Sequence, residues 1–450
     1  MNSRCHNRES MTAVPVLPDH PFVLPDAEVR EAVRTYGTPL YVLDEATLRA
    51  RIRRYRSAFN AAWPRNELTY ASKANSTLAV LAIADQEGCF IDVASEGELR
   101  AALGAGVPAS RCHLHGNNKL ESELRFALEV GVREIVVDHV GELDLIADLI
   151  AEGTCPTLLL RLAPGVDPVT HAKISTGQSD TKFGFSIQNG DAARALAHGI
   201  HRGLPIVGVH AHVGSQLLDP EAQRAAGEVL AEFAIEMLEA HGWEIRVLNV
   251  GGGLGVRYTD ADRPMPVEAY CQLVAKAVQT ALAGTGLDPI LVQEPGRSLV
   301  AEAGVTLYQV GAIKTAPRAD GGSRTYIAVD GGLSDNPRPG LYGARYSVRW
   351  TAADSAGEQI VTISGRHCET DTLFPDIAAP LNLISGDVAQ VLCTGAYNAS
   401  MASNYNRFPR PATILRRIDG SMSLIQARES WDEIFVRERL PEDFSLGEAQ

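Results

Sequence analysis

Between residues 45 and 300 the chain alternates short apolar runs with longer amphipathic stretches. The runs at 68–72, 89–93, 112–115, 134–138, 157–162, 206–212, 246–250 and 290–293 read as buried strands. Between them lie segments rich in Ala, Leu and Glu with helical spacing, at 77–86, 96–104, 121–131, 221–241 and 266–282. Strands that alternate with helices pair in parallel through right-handed crossovers. Eight of them in this span predict a (β/α)8 barrel, with an open doubly wound sheet as the alternative. After residue 305 the pattern changes to short β-rich runs at 326–329, 359–363, 388–392 and 412–416, separated by Gly, Pro and Asp. This part reads as a mainly antiparallel β domain, which the strand-like run 39–43 can join. The expected organisation is a flexible extension (1–25), a strand segment joining the β domain (26–44), the barrel (45–304) and the C-terminal β domain (305–450).

Barrel chemistry collects at the carboxyl ends of strands, where the following loops converge. The residues found there are Lys73, Asp92, His115, Asp138, Arg161, His212, Asn249 and Glu294. All are polar or ionisable, and all follow an apolar run. Any one of them alone would pass for a buried polar group or a helix cap; the full ring of eight predicts an active site.

Composition narrows the class of chemistry. The chain has 450 residues and a formal net charge of −14, and 45% of its residues are hydrophobic. No Lys/Arg-rich run offers a surface to the phosphate backbone of a nucleic acid. No uncharged apolar stretch is long enough for a membrane span. Seven cysteines are scattered without a CxxC pair or metal-like spacing, which predicts a reducing compartment and no metal site. The polar, Pro-rich start lacks an apolar signal core, and Met11 is a conceivable alternative start; the expected location is the cytoplasm.

Four of these features point to one coenzyme. Lys73 lies in Tyr70-Ala-Ser-Lys-Ala-Asn75, where a strand gives way to a helix. An amine lodged in a barrel mouth loses hydration, which favours its neutral, nucleophilic form and a Schiff base. Asn249-Val-Gly-Gly-Gly-Leu-Gly255 brings consecutive glycines whose N–H groups can approach a phosphate, and it lacks the dinucleotide pattern G-x-G-x-x-G. Glu294, in Glu294-Pro-Gly-Arg297, is a carboxylate suited to a pyridine nitrogen, and His212 offers a flat ring to the coenzyme face. Together they predict pyridoxal 5′-phosphate.

The motifs also carry a resemblance. The chain resembles the diaminopimelate decarboxylases, within the alanine-racemase-like class of pyridoxal phosphate enzymes, from about Thr38 to Arg410. The markers include Ile91-Asp-Val-Ala-Ser95, His115-Gly-Asn-Asn-Lys119, Ser175-Thr-Gly177, His210-Ala-His-Val-Gly-Ser-Gln216, Val329-Asp-Gly-Gly-Leu-Ser-Asp-Asn336, Cys368-Glu369 and Gly395-Ala-Tyr397. The resemblance implies that Lys73 carries the coenzyme and that Asp92, His212, Ser215, Gly251, Gly252, Gly253, Glu294, Gly296, Arg297 and Tyr397 surround it. It implies a substrate held by Arg297, Arg338, Tyr342, Glu369 and Tyr397, with Cys368 giving the proton from the partner subunit of a homodimer. The reaction would be the decarboxylation of meso-2,6-diaminopimelate to L-lysine. Alternatives are another basic amino-acid decarboxylase acting on ornithine, arginine or a carboxy-polyamine, a racemase of the same fold, or a non-catalytic coenzyme-binding protein. Two departures touch the substrate side: Cys368-Glu369 runs into Thr-Asp-Thr-Leu-Phe374, and Gly340 follows Arg338-Pro339.

Overall fold

The computed structural model describes residues 20–150, 156–166, 182–351, 357–369, 372–442 and 444. The extension up to residue 19, Cys5, Cys155, Asp167 and the Ser175-Thr176-Gly177 motif lie outside these. In chain order the strands are β1 (Leu40–Asp44), β2 (Asn66–Ala71), β3 (Phe90–Val93), β4 (Cys112–Leu114), β5 (Glu134–Val137), β6 (Thr157–Ala163), β7 (Phe185–Ser186), β8 (Ile206–His210), β9 (Val247–Asn249) and β10 (Ile290–Gln293). Strands β2 to β6 and β8 to β10 pair in parallel, and β5 also pairs with β6, which closes the ring into an eight-stranded barrel. The short β7 hangs on β6.

Alternation along the strands sorts side chains to two faces. Val136, Leu159, Val207, Val247 and Val292 form one buried cluster, while Ile135, Leu158, Leu160, Val209, Leu248 and Leu291 belong to the large core shared with the surrounding helices. Those helices include Glu45–Ala62, Leu78–Gln86, Glu96–Gly104, Glu121–Val130, Val140–Ile150, Asp191–His201, Glu221–His241 and Val267–Ala281. Side-chain caps start some of them: Asp44 accepts from the Thr47 N–H and Ser95 from the Glu98 N–H. The same alternation aims Asp92, His115, Arg161 and Glu294 toward the barrel mouth.

The strand limits differ from the hydrophobic pattern for physical reasons. β2 begins earlier than expected and contains Glu67, because Arg133 lies 2.7 Å from its carboxylate and His113 3.1 Å. β8 ends at His210, which leaves His212 on the loop above it.

The second sheet contains β11 (Gly304–Pro317), β12 (Ser323–Val329), β13 (Val348–Thr351), β14 (Glu358–Ser364), β15 (Thr372–Pro380), β16 (Val388–Leu392), β17 (Ala412–Arg416) and β18 (Met422–Gln426). Its main path runs β15-β14-β12-β11-β1-β17-β18, with β16 joining β11 to β13. The pairs β1–β17 and β12–β14 are parallel; the other pairs of this sheet are antiparallel. β1 therefore sits inside the sheet formed by the C-terminal part. The segment before it is not extended throughout: Asp26–Tyr36 is a helix that buries Val29 and Ala32. Leu24 is buried as well.

The two halves meet beside the Lys73 loop. The Tyr397 N–H donates to Ala74 O at 2.8 Å, and Asn75 Nδ2 donates to Gly395 O at 3.0 Å. Gly395 allows this approach, since a Cβ there would lie 2.0 Å from Val300 O. Gly395→Ala should destabilise the protein by about 1–3 kcal/mol, as overpacking of a tight contact does. It should lower Tm, and an unchanged Tm in a thermal melt would contradict this packing.

Candidate active site

A cavity of about 1000 Å³ opens at the barrel mouth, between the strand ends and the β domain. Of the expected site residues, Lys73, Asp92, His212, Ser215, Gly252, Gly253, Glu294, Gly296, Arg297, Arg338, Tyr342 and Tyr397 line it. Of the eight strand-end residues, Asp138 and Asn249 do not. Asp138 accepts the Gly184 N–H at 2.9 Å, and Asn249 lies beneath Glu294. Lys73 is exposed to the cavity instead of being buried, so any loss of hydration must come from what fills the space.

Glu294 sits at the centre of a hydrogen-bonded set. Its Oε1 accepts from Asn249 Nδ2 at 2.7 Å and faces His115 Nε2 at 3.2 Å, while Oε2 faces His210 Nε2 at 3.1 Å. Burial alone would raise its pKa, yet the two imidazoles and their hydrogen bonds hold the carboxyl well below the usual range. Asp92 is shifted the other way: burial raises it, and His115 Nε2, 3.7 Å away, only partly offsets that. Burial also pushes His210 down to about 4, and His212 down to about 3 with help from the nearby Lys73 charge. Burial therefore opposes a charge on His210, whose Nε2 lies at hydrogen-bond distance from Glu294 Oε2. Two carboxyl groups in one mouth thus have opposite tendencies, set by their neighbours.

The glycine turn follows β9. Gly251, also expected near the coenzyme, has φ +69° and is not among the residues lining the cavity; its N–H donates to Asn249 Oδ1 at 2.9 Å. The next two glycines face the space, and a Cβ at Gly252 would lie 2.2 Å from Glu294 O. An exposed amine, an ionised carboxylate, an imidazole face and a glycine turn fit an aldehyde-bearing pyridine with a phosphate. His115, His210 and Glu294 also place donor atoms within 4.8 Å of one another, a set that a divalent cation can use.

On the outer wall two arginines converge. Arg297 and Arg338 both donate to the Tyr258 hydroxyl, Arg338 at 2.9 Å, and Arg338 also donates to Tyr346 at 2.7 Å. Arg297 additionally reaches Ser215 Oγ at 3.1 Å. Their guanidinium groups lie over the Tyr397 ring at 4.7 and 5.9 Å. Among the described residues the hydrogen-bond partners of both arginines are hydroxyls, and neither forms an ion pair with a carboxylate. Tyr258 is a site residue that the sequence reading missed; its only signal is its place three residues beyond the glycine-rich turn.

Cys368 and Glu369 do not line the cavity of their own chain. Cys368 is exposed, its N–H donating to Asn406 Oδ1 at 3.2 Å, and the Tyr405 hydroxyl donates to Glu369. On the cavity wall Tyr342 is 67% exposed and its chain neighbour Leu341 60%, so this edge is open to solvent in a single chain.

Residues 45–301 match the family model for the pyridoxal-binding domain of pyridoxal-dependent decarboxylases. The diaminopimelate decarboxylase of Bacillus subtilis is 44% identical over 406 residues, which covers 89% of this chain and 91% of that protein. Its counterpart in Bacillus methanolicus is 42% identical over 403 residues, 88% of this chain and 92% of that one. Among solved structures, diaminopimelate decarboxylase from M. jannaschii in co-complex with L-lysine superposes with a TM-score of 0.84 at 32% identity, covering 92% of this chain and 94% of that one.

The depressed imidazole gives a pH dependence with a definite sign. Unfolded His210 takes up a proton below pH ~6.5, whereas folded His210 stays neutral until about pH 4. The folded state thus binds fewer protons in this window, and stability falls as the pH drops. In urea titrations of the coenzyme-free protein, His210→Gln should flatten this fall by about 1.4 kcal/mol per pH unit. An equal slope in both proteins would contradict the assignment.

Proposed function

The chain belongs to the pyridoxal-dependent decarboxylases and, among them, to the diaminopimelate decarboxylases, and we propose a role for each side chain of its barrel mouth. The enzyme removes one carboxyl group from meso-2,6-diaminopimelate and yields L-lysine and CO2, the last step of lysine biosynthesis. When bound, pyridoxal 5′-phosphate supplies an electron-accepting ring that takes up the electron pair left as the carboxyl group departs. Lys73 would hold the coenzyme through its amine. Glu294, held in its ionised form, would pair with the ring nitrogen and favour its protonation. His212 would offer its ring to one face of the coenzyme, with Asp92 beside it. Gly252, Gly253 and Gly296, with Ser215 and Arg297, would receive the phosphate.

The substrate is chosen at its far end. The observation that carries this reading is the pair Arg297 and Arg338, joined through Tyr258 and without a carboxylate partner among the described residues. Two cations so placed, with the Tyr342 hydroxyl at the rim, favour a substrate with a distal carboxylate. Ornithine, arginine and carboxy-polyamines lack a carboxylate at that position and would leave Arg338 uncompensated.

The proton that replaces CO2 comes from a second copy. Cys368 and Glu369 are presented on the surface, outside their own cavity, and the cavity rim is open. In a homodimer Cys368 of the partner subunit donates its S–H proton to the carbon that lost CO2, and Glu369 of the partner subunit receives the distal ammonium. Tyr397 packs beneath both arginines and lies against coenzyme and substrate. No helix among the described residues is long and apolar enough to cross a membrane.

Lys73→Ala and Cys368→Ala should each abolish or severely slow turnover. If the active sites are shared, mixing the two inactive variants should restore up to about a quarter of wild-type activity, because half the dimers then hold one intact site. CO2 and lysine release from the meso isomer measures it. No recovery on mixing, while sedimentation shows exchanged dimers, would contradict a donor in trans; CO2 from ornithine at a comparable rate would contradict the distal carboxylate.

A further inference from the structure

Asn249 touches neither the cavity nor any group assigned above to the reaction except Glu294, yet both ends of its side chain are committed. It is fully buried at the end of β9. Nδ2 donates to Glu294 Oε1 at 2.7 Å, and Oδ1 accepts the Gly251 N–H at 2.9 Å. The amide has only one workable orientation: reversed, its oxygen would face a carboxylate and its NH2 would face an N–H. A second tie runs in parallel, since the Glu294 N–H donates to Gly251 O at 2.9 Å. The first glycine of the turn is thus tied to Glu294 through both of its own polar groups, its carbonyl by the Glu294 backbone N–H and its N–H by way of Asn249.

We propose that Asn249 is a positioning residue that fixes the spacing between the ring-nitrogen partner, Glu294, and the phosphate-binding turn, Gly252–Gly253. The inference rests on the placement of coenzyme ring and phosphate proposed above. A rigid ring carries its nitrogen and its phosphate arm at a set separation, so the two protein anchors must be held at a matching one. The backbone of β9 and β10 fixes Val292 opposite Asn249, but the residues that touch the coenzyme lie beyond that ladder. There Asn249 makes the connection. Its donor also drains charge from Glu294, which leaves the proton on the ring nitrogen and not on the carboxyl.

Two substitutions separate these two tasks. Asn249→Asp keeps an oxygen for the Gly251 N–H and replaces the donor to Glu294 with a second carboxylate. Asn249→Ala removes both contacts. The readouts are the 15N resonance of ring-labelled pyridoxal phosphate and the 31P resonance of its phosphate in the bound state, with the coenzyme Kd from spectral titration. We expect Asn249→Asp to move the 15N resonance and leave the 31P resonance in place. Asn249→Ala should move both and weaken coenzyme binding about tenfold, the size of one charge-assisted hydrogen bond.

A general loosening of the barrel would move both resonances in both variants, and that result overturns the proposal. So does an Asn249→Ala protein with both resonances unmoved. Glu294→Gln is the control for the underlying reading: if it leaves the 15N resonance where it is in the wild type, Glu294 does not face the ring nitrogen, and the proposal falls with that assignment. A control that behaves as expected, with unchanged Asn249 variants, sinks the proposal alone.

Discussion

The structure depends on keeping a buried carboxylate charged. Glu294 lies at the end of the last barrel strand, where burial opposes ionisation, and one amide and two imidazoles from three other strand ends come within 2.7–3.2 Å of its two oxygens. An unpaired charge in such a place would be costly, so the donors and the carboxylate only make sense together. Each donor comes from the far end of an otherwise apolar strand, and closure of the barrel is what brings them within reach. A one-residue slip in any of these strands would turn its donor toward the helices.

This arrangement explains why so much was legible in the sequence. Inside a closed barrel a polar residue that ends an apolar run lies near the mouth, so Lys73, Asp92, His115, Arg161 and Glu294 were readable from position, whereas Asp138 and Asn249 share that position without lining the cavity. The barrel itself was readable for the same reason, since its strands are covered on both faces. The second domain was less so. β11 loses its apolar pattern halfway, where its side chains become exposed, and β15 is interrupted by Pro375 and by Asp376 at φ +58°. The helix Asp26–Tyr36 buries few large side chains, and it too escaped the pattern.

What the site adds beyond position is pairing, which a linear reading cannot supply. Nothing in the order of residues says that Tyr258 bridges two arginines, that Gly251 spends its N–H on Asn249, or that Asp138 turns to Gly184. Cys368 and Glu369 illustrate the opposite limit: their motif is plain in sequence, but in one chain they stand on the surface, away from the cavity. The proposed donor in trans follows from this separation: the mouth of a single barrel lacks Cys368 and Glu369, and its edge at Tyr342 is exposed.

The central claim is the charge state of one side chain. Infrared difference spectra between the wild type and Glu294→Gln, recorded on isotope-edited protein from neutrality down to about pH 5, isolate the carboxyl band of that residue. The account predicts the symmetric and antisymmetric stretches of an ionised carboxylate throughout that range. A protonated carbonyl stretch appearing near neutrality would contradict it.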